Sequence, residues 1–138
     1  MKKVLIDNTV LLNVLLENNN YKSSAKFLSL AEQNEFELFI SGSSFSELFN
    51  IIKDKLGESE AVDVLKKVHL IINIISADEQ LFELALYSSG PFRNSIELLL
   101  AKKYHIDVLV SENQDHYHNG IVKVLDPVSF LGYIETIL

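Results

Sequence analysis

Asp7 stands directly behind the apolar run Val4–Ile6. A carboxylate there can do one of two things. It can cap the next helix by accepting from free backbone N–H groups, or it can serve at the sheet edge as a hard oxygen ligand for a divalent cation. Glu47 poses a similar choice. It sits among Phe45, Leu48 and Phe49, where an isolated glutamate ordinarily turns to solvent. Asn94 and Glu97 are three residues apart and share one helical face. The segment from Ser111 through Glu112, Asn113, Gln114 and Asp115 to His116 gathers hydroxyl, amide, carboxylate and imidazole groups in one stretch. His116 and His118 form a His-x-His pair in a polar loop, ordinarily solvated, whose nitrogens would suit a transition metal better than magnesium. There is no cysteine, so neither a disulfide framework nor a thiolate metal site is open to this chain.

The elements that must position these groups are legible from hydropathy. Short apolar runs at Val4–Ile6, Leu38–Ile40, Leu70–Ile75, Val108–Val110 and Val122–Val124 read as buried parallel strands. Helical spacing marks Thr9–Glu17, Lys22–Asn34, Ser43–Leu56, Glu58–Val68, Glu79–Tyr87, Asn94–Tyr104 and Val128–Ile137. Gly57 is placed to stop the third of these, Asp78 to cap the fifth, and Pro127 to open the last. Asn18-Asn19-Asn20 reads as a brief loop and Ser88-Ser89-Gly90-Pro91 as a turn. Strand and helix alternate without a repeat or a linker, which predicts one α/β domain over residues 1–138 with a central parallel sheet of about five strands. Ligands of such sheets bind beyond the carboxyl ends of the strands. Asp7, Ser41 and Ser111 are all at such ends.

Four blocks in order carry a family resemblance. Val-Leu-Ile-Asp7-Asn8-Thr9-Val10-Leu11-Leu12 resembles the start of a PIN domain, a hydrophobic strand running into Asp-Thr-Asn. Ile40-Ser41-Gly42-Ser43-Ser44-Phe45-Ser46-Glu47-Leu48 resembles the block in which a serine-rich turn precedes a helix bearing a glutamate. Val108-Leu109-Val110-Ser111-Glu112-Asn113 resembles the late strand ending in Thr/Ser-x-Asn. Val124-Leu125-Asp126-Pro127-Val128-Ser129-Phe130-Leu131 resembles the family's ending. The match runs over essentially the whole chain, and VapC-like toxins are the relatives it suggests. The resemblance implies a three-layer α/β/α fold and cleavage of RNA with Mg2+ or Mn2+. In such a site carboxylates hold the cations, and these activate water and neutralise charge on the scissile phosphate. It also implies an antitoxin-like protein partner and a homodimer. Carried over by position, the site is Asp7, Glu47, Asn94 and Asp115, with Asp7, Glu47 and Glu97 as candidate metal ligands and Thr9, Ser111 and Asn113 as substrate-binding residues.

The chain also departs from the family pattern. Asn94 stands where an aspartate opens the helix after Gly90-Pro91. It keeps the shape and an oxygen but lacks the charge that holds a dication. His116 falls on the late acidic position, with Asp115 one residue early unless the loop shifts. Asn8-Thr9 reverses the family's Thr-Asn. Glu97 could compensate by reaching the metal, although a surface position is the expectation for it. Magnesium often rests on one or two carboxylates, so Asp7 and Glu47 could hold an ion weakly. Losing a ligand from a catalytic set costs about tenfold in rate for each 1.4 kcal/mol. The expectation is weakened or lost nuclease activity.

Bulk properties agree with an acidic globular domain. Apolar residues make up 48% of the chain, enough for a core at this length. The net charge is −7, which disfavours tight nonspecific binding of nucleic acid, unless part of that charge is gathered around a metal. Among the basic residues the sole arginine is Arg93, and phosphate recognition favours the arginine fork. The opening apolar run is cut by Asp7, too early for a signal peptide, and His69–Ile75 is too short to span a bilayer, so a cytoplasmic protein is expected. Three readings follow: a PIN-domain protein with a degenerate site, a working nuclease in which Asp115 or Glu97 supplies the missing carboxylate, and a noncatalytic interaction module. A flavodoxin-like receiver fits less well, because Asp7 has no adjacent acid. No glycine-rich phosphate loop and no Gly-x-Ser-x-Gly elbow is present.

Overall fold

In the computed structural model, residues 1–18, 21–117 and 120–137 are described. Five parallel strands, β1 (Lys3–Ile6), β2 (Glu37–Ser41), β3 (Asn73–Ile75), β4 (Val108–Val110) and β5 (Lys123–Leu125), form one sheet in the order β3-β2-β1-β4-β5. The helices are α1 (Asn8–Leu15), α2 (Tyr21–Glu32), α3 (Gly42–Leu56), α4 (Glu58–His69), α5 (Glu79–Leu86), α6 (Phe92–Lys103) and α7 (Pro127–Ile137). This is the central parallel sheet that the alternation of strand and helix predicts, in the three-layer α/β/α arrangement that the family resemblance implies.

The period-two geometry of a strand divides the core between the two faces. Val4 and Ile6 of β1, Leu38 and Ile40 of β2, and Val108 and Val110 of β4 point to one side. They meet Val10, Leu11, Phe27, Leu48, Leu65 and Phe130 from α1, α2, α3, α4 and α7. Leu5 and Leu109 point to the other side, where Leu81, Ala85, Ile96 and Leu100 of α5 and α6 pack with Ile75 of β3. Both faces are covered, as a parallel sheet requires.

Local chemistry sets most of the helix ends. Asp7, Ser41 and Asp78 cap α1, α3 and α5 by accepting from the N–H groups of Thr9, Ser44 and Leu81. Gly57 ends α3 and precedes α4 with φ +90° and ψ 163°, backbone that is essentially restricted to glycine. Gly90 has φ +92° in the turn before α6.

Some boundaries differ from the hydropathy reading. The run Leu70–Ile75 is not all strand: α4 continues to His69, and the N–H groups of Leu70 and Ile71 donate to the carbonyls of Lys67 and Val68. Leu70 is 84% exposed, and only Asn73–Ile75 pairs with β2. An apolar run cannot separate a helix end from a strand start. The last strand is Lys123–Leu125, one residue later than expected. Helix α6 opens at Phe92, earlier than Asn94, because Pro91 supplies a preset φ of −62° at its N-cap. Asn19, Asn20, His118 and Asn119 lie outside the described residues, so part of the expected Asn18–Asn20 loop and the His-x-His reading receive no structural account. No helix among the described residues is long and apolar enough to cross a membrane.

Candidate active-site cleft

From β1 the chain steps to β2 and β3 on one side, then returns to place β4 on the other side of β1. The loops leaving β1 and β4 therefore diverge, and the crevice between them is the switch point at which doubly wound sheets take ligands. A cleft of about 300 Å³ occupies that place. Asp7, Asn8 and Thr9 line it from the end of β1, Glu47 from α3, Arg93 and Asn94 from the first turn of α6, and Asn113, His116 and Tyr117 from the segment after β4.

Asp7 is buried and held from several sides. Its Oδ1 accepts from the Thr9 N–H at 3.1 Å and from the Thr9 hydroxyl, and its Oδ2 accepts from the Tyr117 hydroxyl at 3.0 Å. Thr9 Oγ1 in turn accepts from the Glu112 N–H at 3.0 Å, which ties the β1 end to the β4 end. Asp7 therefore caps α1 and also lines the cleft. Burial is the main cause that pushes the Tyr117 hydroxyl pKa upward, and the Asp7 charge adds to it. Tyr117 thus stays a neutral donor to Asp7.

Across the cleft, Glu47 Oε1 accepts from Arg93 Nη1 at 2.7 Å, with both side chains nearly half exposed. Asn94 donates from Nδ2 to the His116 carbonyl at 2.6 Å. The amide thus fastens α6 to the short 3-10 turn Gln114–His116. Asn113 donates its N–H to Ser111 Oγ at 2.9 Å. Ser111 is fully buried and shapes the loop from behind.

Glu97 is not on the surface, contrary to expectation. It is 1% exposed, and its Oε1 accepts from the Ser41 and Ser44 hydroxyls at 2.6 and 2.8 Å. Its Oε2 has no hydrogen-bond partner among the described residues. Burial pushes the carboxyl above its ordinary value of 4.5, with the two hydroxyls opposing and Asp7 adding. Asn94 lines the cleft, whereas Glu97, one turn further along α6, packs inward against the β2–α3 turn.

These residues do not form a ready-made metal centre. Among the described residues no group of three or more His, Asp or Glu is placed to hold an ion. The would-be ligands that line the cleft are already engaged by the protein's own donors or, for Asn94, by its own acceptor. A dication held here would rest on Asp7 and Glu47 with water in the rest of its shell, and would have to compete with Arg93 for Glu47.

A PIN-domain family model matches residues 3–115. The chain belongs to the PIN-domain family. No curated protein matches it in sequence. Solved structures do match in fold. A VapC20 toxin of Mycobacterium tuberculosis that cleaves the sarcin-ricin loop aligns over 88% of this chain and 98% of its own, at 13% identity and a TM-score of 0.67. A DNA-bound VapBC from Salmonella typhimurium aligns over 92% and 99%, at 15% identity and 0.66. A toxin–antitoxin complex from Klebsiella pneumoniae aligns over 90% and 97%, at 20% identity and 0.66.

In this PIN domain the positions carried over from sequence fall into two groups. Asp7, Thr9, Glu47, Asn94 and Asn113 line the cleft, whereas Asp115, Glu97 and Ser111 do not. Asp115 is exposed on the 3-10 turn, where His116 and not Asp115 reaches the lining. Sequence reasoning missed Tyr117, the donor to Asp7, and gave Arg93 no place in the site. An aromatic residue inside a polar loop was the available signal for Tyr117; the one arginine, next to Asn94, was the signal for Arg93.

Proposed function

We propose that this PIN domain descends from metal-dependent endoribonucleases, is the toxin-like half of a toxin–antitoxin pair, and has a weakened or lost nuclease activity. The observation that carries this reading is the cleft at the β1/β4 switch point. It presents Asp7 and Glu47 to one space, with an amide at Asn94 and an imidazole at His116 where two further acids belong. Such a site holds Mg2+ or Mn2+ weakly or not at all. Its remaining chemistry is that of binding: the amides of Asn94 and Asn113 and the Arg93 guanidinium suit a ribose or phosphate oxygen better than they suit bond cleavage.

The working-nuclease alternative needs Glu97 or Asp115 to supply charge. Glu97 already accepts from two serine hydroxyls beneath the cleft, and Asp115 is exposed and is not among the residues that line it, so both placements weigh against it. An antitoxin-like partner is supported by the VapBC-type assemblies among the fold neighbours. It is also supported by an open apolar groove of about 360 Å³ between α3, α4 and β3, walled by Phe45, Phe49, Val62, Leu65 and Ile74. Apolar grooves of this kind accept the apolar face of an amphipathic helix. A homodimer and a cytoplasmic location belong to the same proposal by family analogy.

The test is incubation of the pure protein with single-stranded RNA in manganese, in magnesium and in chelator, beside the Asp7→Asn variant. The expected result is little or no cleavage by either protein. Rapid metal-dependent cleavage that Asp7→Asn abolishes would replace this reading with the working nuclease.

A further inference from the structure

We propose that Arg93 is the resident cation of the cleft, holding Glu47 in the place a divalent ion would take and clamping α6 to α3 across the crevice. The proposal deepens the reading above and rests on the cleft being the remnant of an acidic nuclease centre.

Arg93 is the only arginine in a chain otherwise supplied with lysine. It lies in the first turn of α6, lines the cleft beside Asn94, and donates from Nη1 to Glu47 Oε1 at 2.7 Å. A planar guanidinium keeps its charge at any physiological pH and holds a carboxylate by directed N–H groups. A lysine would be a looser point charge. Asp7 is buried and fixed by Thr9 and Tyr117, whereas the Arg93–Glu47 pair is nearly half exposed at each end. Glu47 is thus the carboxylate of the cleft whose partner can be exchanged with solvent ions. A guanidinium and a dication on one carboxylate repel each other, so each weakens the other's hold on Glu47. While Arg93 holds Glu47, that carboxylate is charge-balanced without a metal.

The test is Mn2+ titrated into the purified protein, with free ion followed by electron paramagnetic resonance. The proteins compared are the wild type, Arg93→Gln, Arg93→Lys, and Arg93→Gln combined with Glu47→Gln. Removing one positive charge beside the site should tighten Mn2+ binding by about tenfold or more in Arg93→Gln. Arg93→Lys should remain near the wild type, and the double variant should lose the gain. The pair is exposed, so its loss should leave the fold in place, which a circular dichroism spectrum matching the wild type checks. Unchanged or weaker Mn2+ binding in Arg93→Gln would overturn the proposal, as would a gain that survives Glu47→Gln. The titration needs no RNA, so its failure is distinct from a failure of the nuclease-ancestry reading, which the cleavage assay decides.

Discussion

Single atoms decide what the cleft can do. Replacing a carboxylate oxygen by an NH2 group at Asn94 turns a ligand position into a donor, and that donor is bound to the His116 carbonyl. An aspartate at position 94 would face that carbonyl with like partial charge and would be freed toward the cleft. Asn94→Asp together with His116→Asp is therefore expected to raise Mn2+-dependent RNA cleavage by about tenfold or more, a change of at least about 1.4 kcal/mol in the barrier. A time course of RNA cleavage with and without chelator checks it. Glu97 gives a second, independent prediction. Its folded-state pKa lies above the ordinary 4.5, chiefly through burial. The folded protein therefore binds this proton more tightly than the unfolded chain does. Stability from this group is fully present below 4.5 and falls as pH rises from there toward the raised folded value. Glu97→Gln can still accept from Ser41 and Ser44 through its amide oxygen. It should flatten that fall and make the protein more stable than the wild type at neutral pH, as chemical denaturation across a pH series would show. Equal slopes in the two proteins would contradict the assignment.

At the scale of elements, the β2–α3 junction is the joint of the site. Ser41 caps α3 by accepting the Ser44 N–H at 3.0 Å, and the Ser41 hydroxyl proton goes to Glu97. One side chain thus sets the start of the helix that carries Glu47 and anchors the helix that carries Arg93 and Asn94. Ser41→Ala is expected to cost about 1–2 kcal/mol as a lost cap, with a further loss from leaving Glu97 a single donor; thermal melting measures it. The other end of α3 is fixed by Gly57, whose backbone at φ +90° and ψ 163° disfavours a side chain. No atom outside the chain neighbours lies within 4 Å of a Cβ built there, so the cost of Gly57→Ala is conformational and not steric. A loss of about 1–3 kcal/mol is expected, with the cleft unaltered. Both ends were legible in the sequence, Gly57 as a stop and Ser41 as a strand end, because capping is local chemistry. The end of α4 was not legible. Leu70 and Ile71 carry strand-like hydropathy, but the helix and its following turn take them first.

At the scale of the molecule, the larger core layer is keyed by three aromatic rings. Phe27 of α2, Phe36 ahead of β2 and Phe130 of α7 lie with centroids 5.1 Å apart in every pairing, two of them edge-on. All are essentially buried. Their arrangement joins the chain's last helix to its second, and so closes the layer that supports β1 and Asp7. Phe27→Ala should cost about 3–5 kcal/mol through lost burial and an unfilled cavity. Phe130→Ala should cost a similar amount, and the double variant should cost less than the sum because each ring is the other's neighbour. Denaturant midpoints of the three variants test this; strict additivity would contradict the shared cluster.

The sequence by itself determined most of the buried strands, the strand-end places of Asp7 and Ser41, the cap at Asp78, the stop at Gly57 and the order of motifs that marks the family. Each of these follows from chemistry within a few residues, where hydropathy period and backbone preference act directly. It also located the acidic gaps at Asn94 and His116, since a missing charge is visible as a residue type. Tertiary structure alone decided that the Glu97 face turns inward onto Ser41 and Ser44, that His116 and not Asp115 reaches the cleft, that Tyr117 closes over Asp7, and that Arg93 finds Glu47. Those contacts join residues 46 to 110 positions apart in the chain wherever they cross between α3, α6 and the strand ends. No local pattern encodes them. They exist because the reversal of strand order between β1 and β4 brings those ends to one crevice.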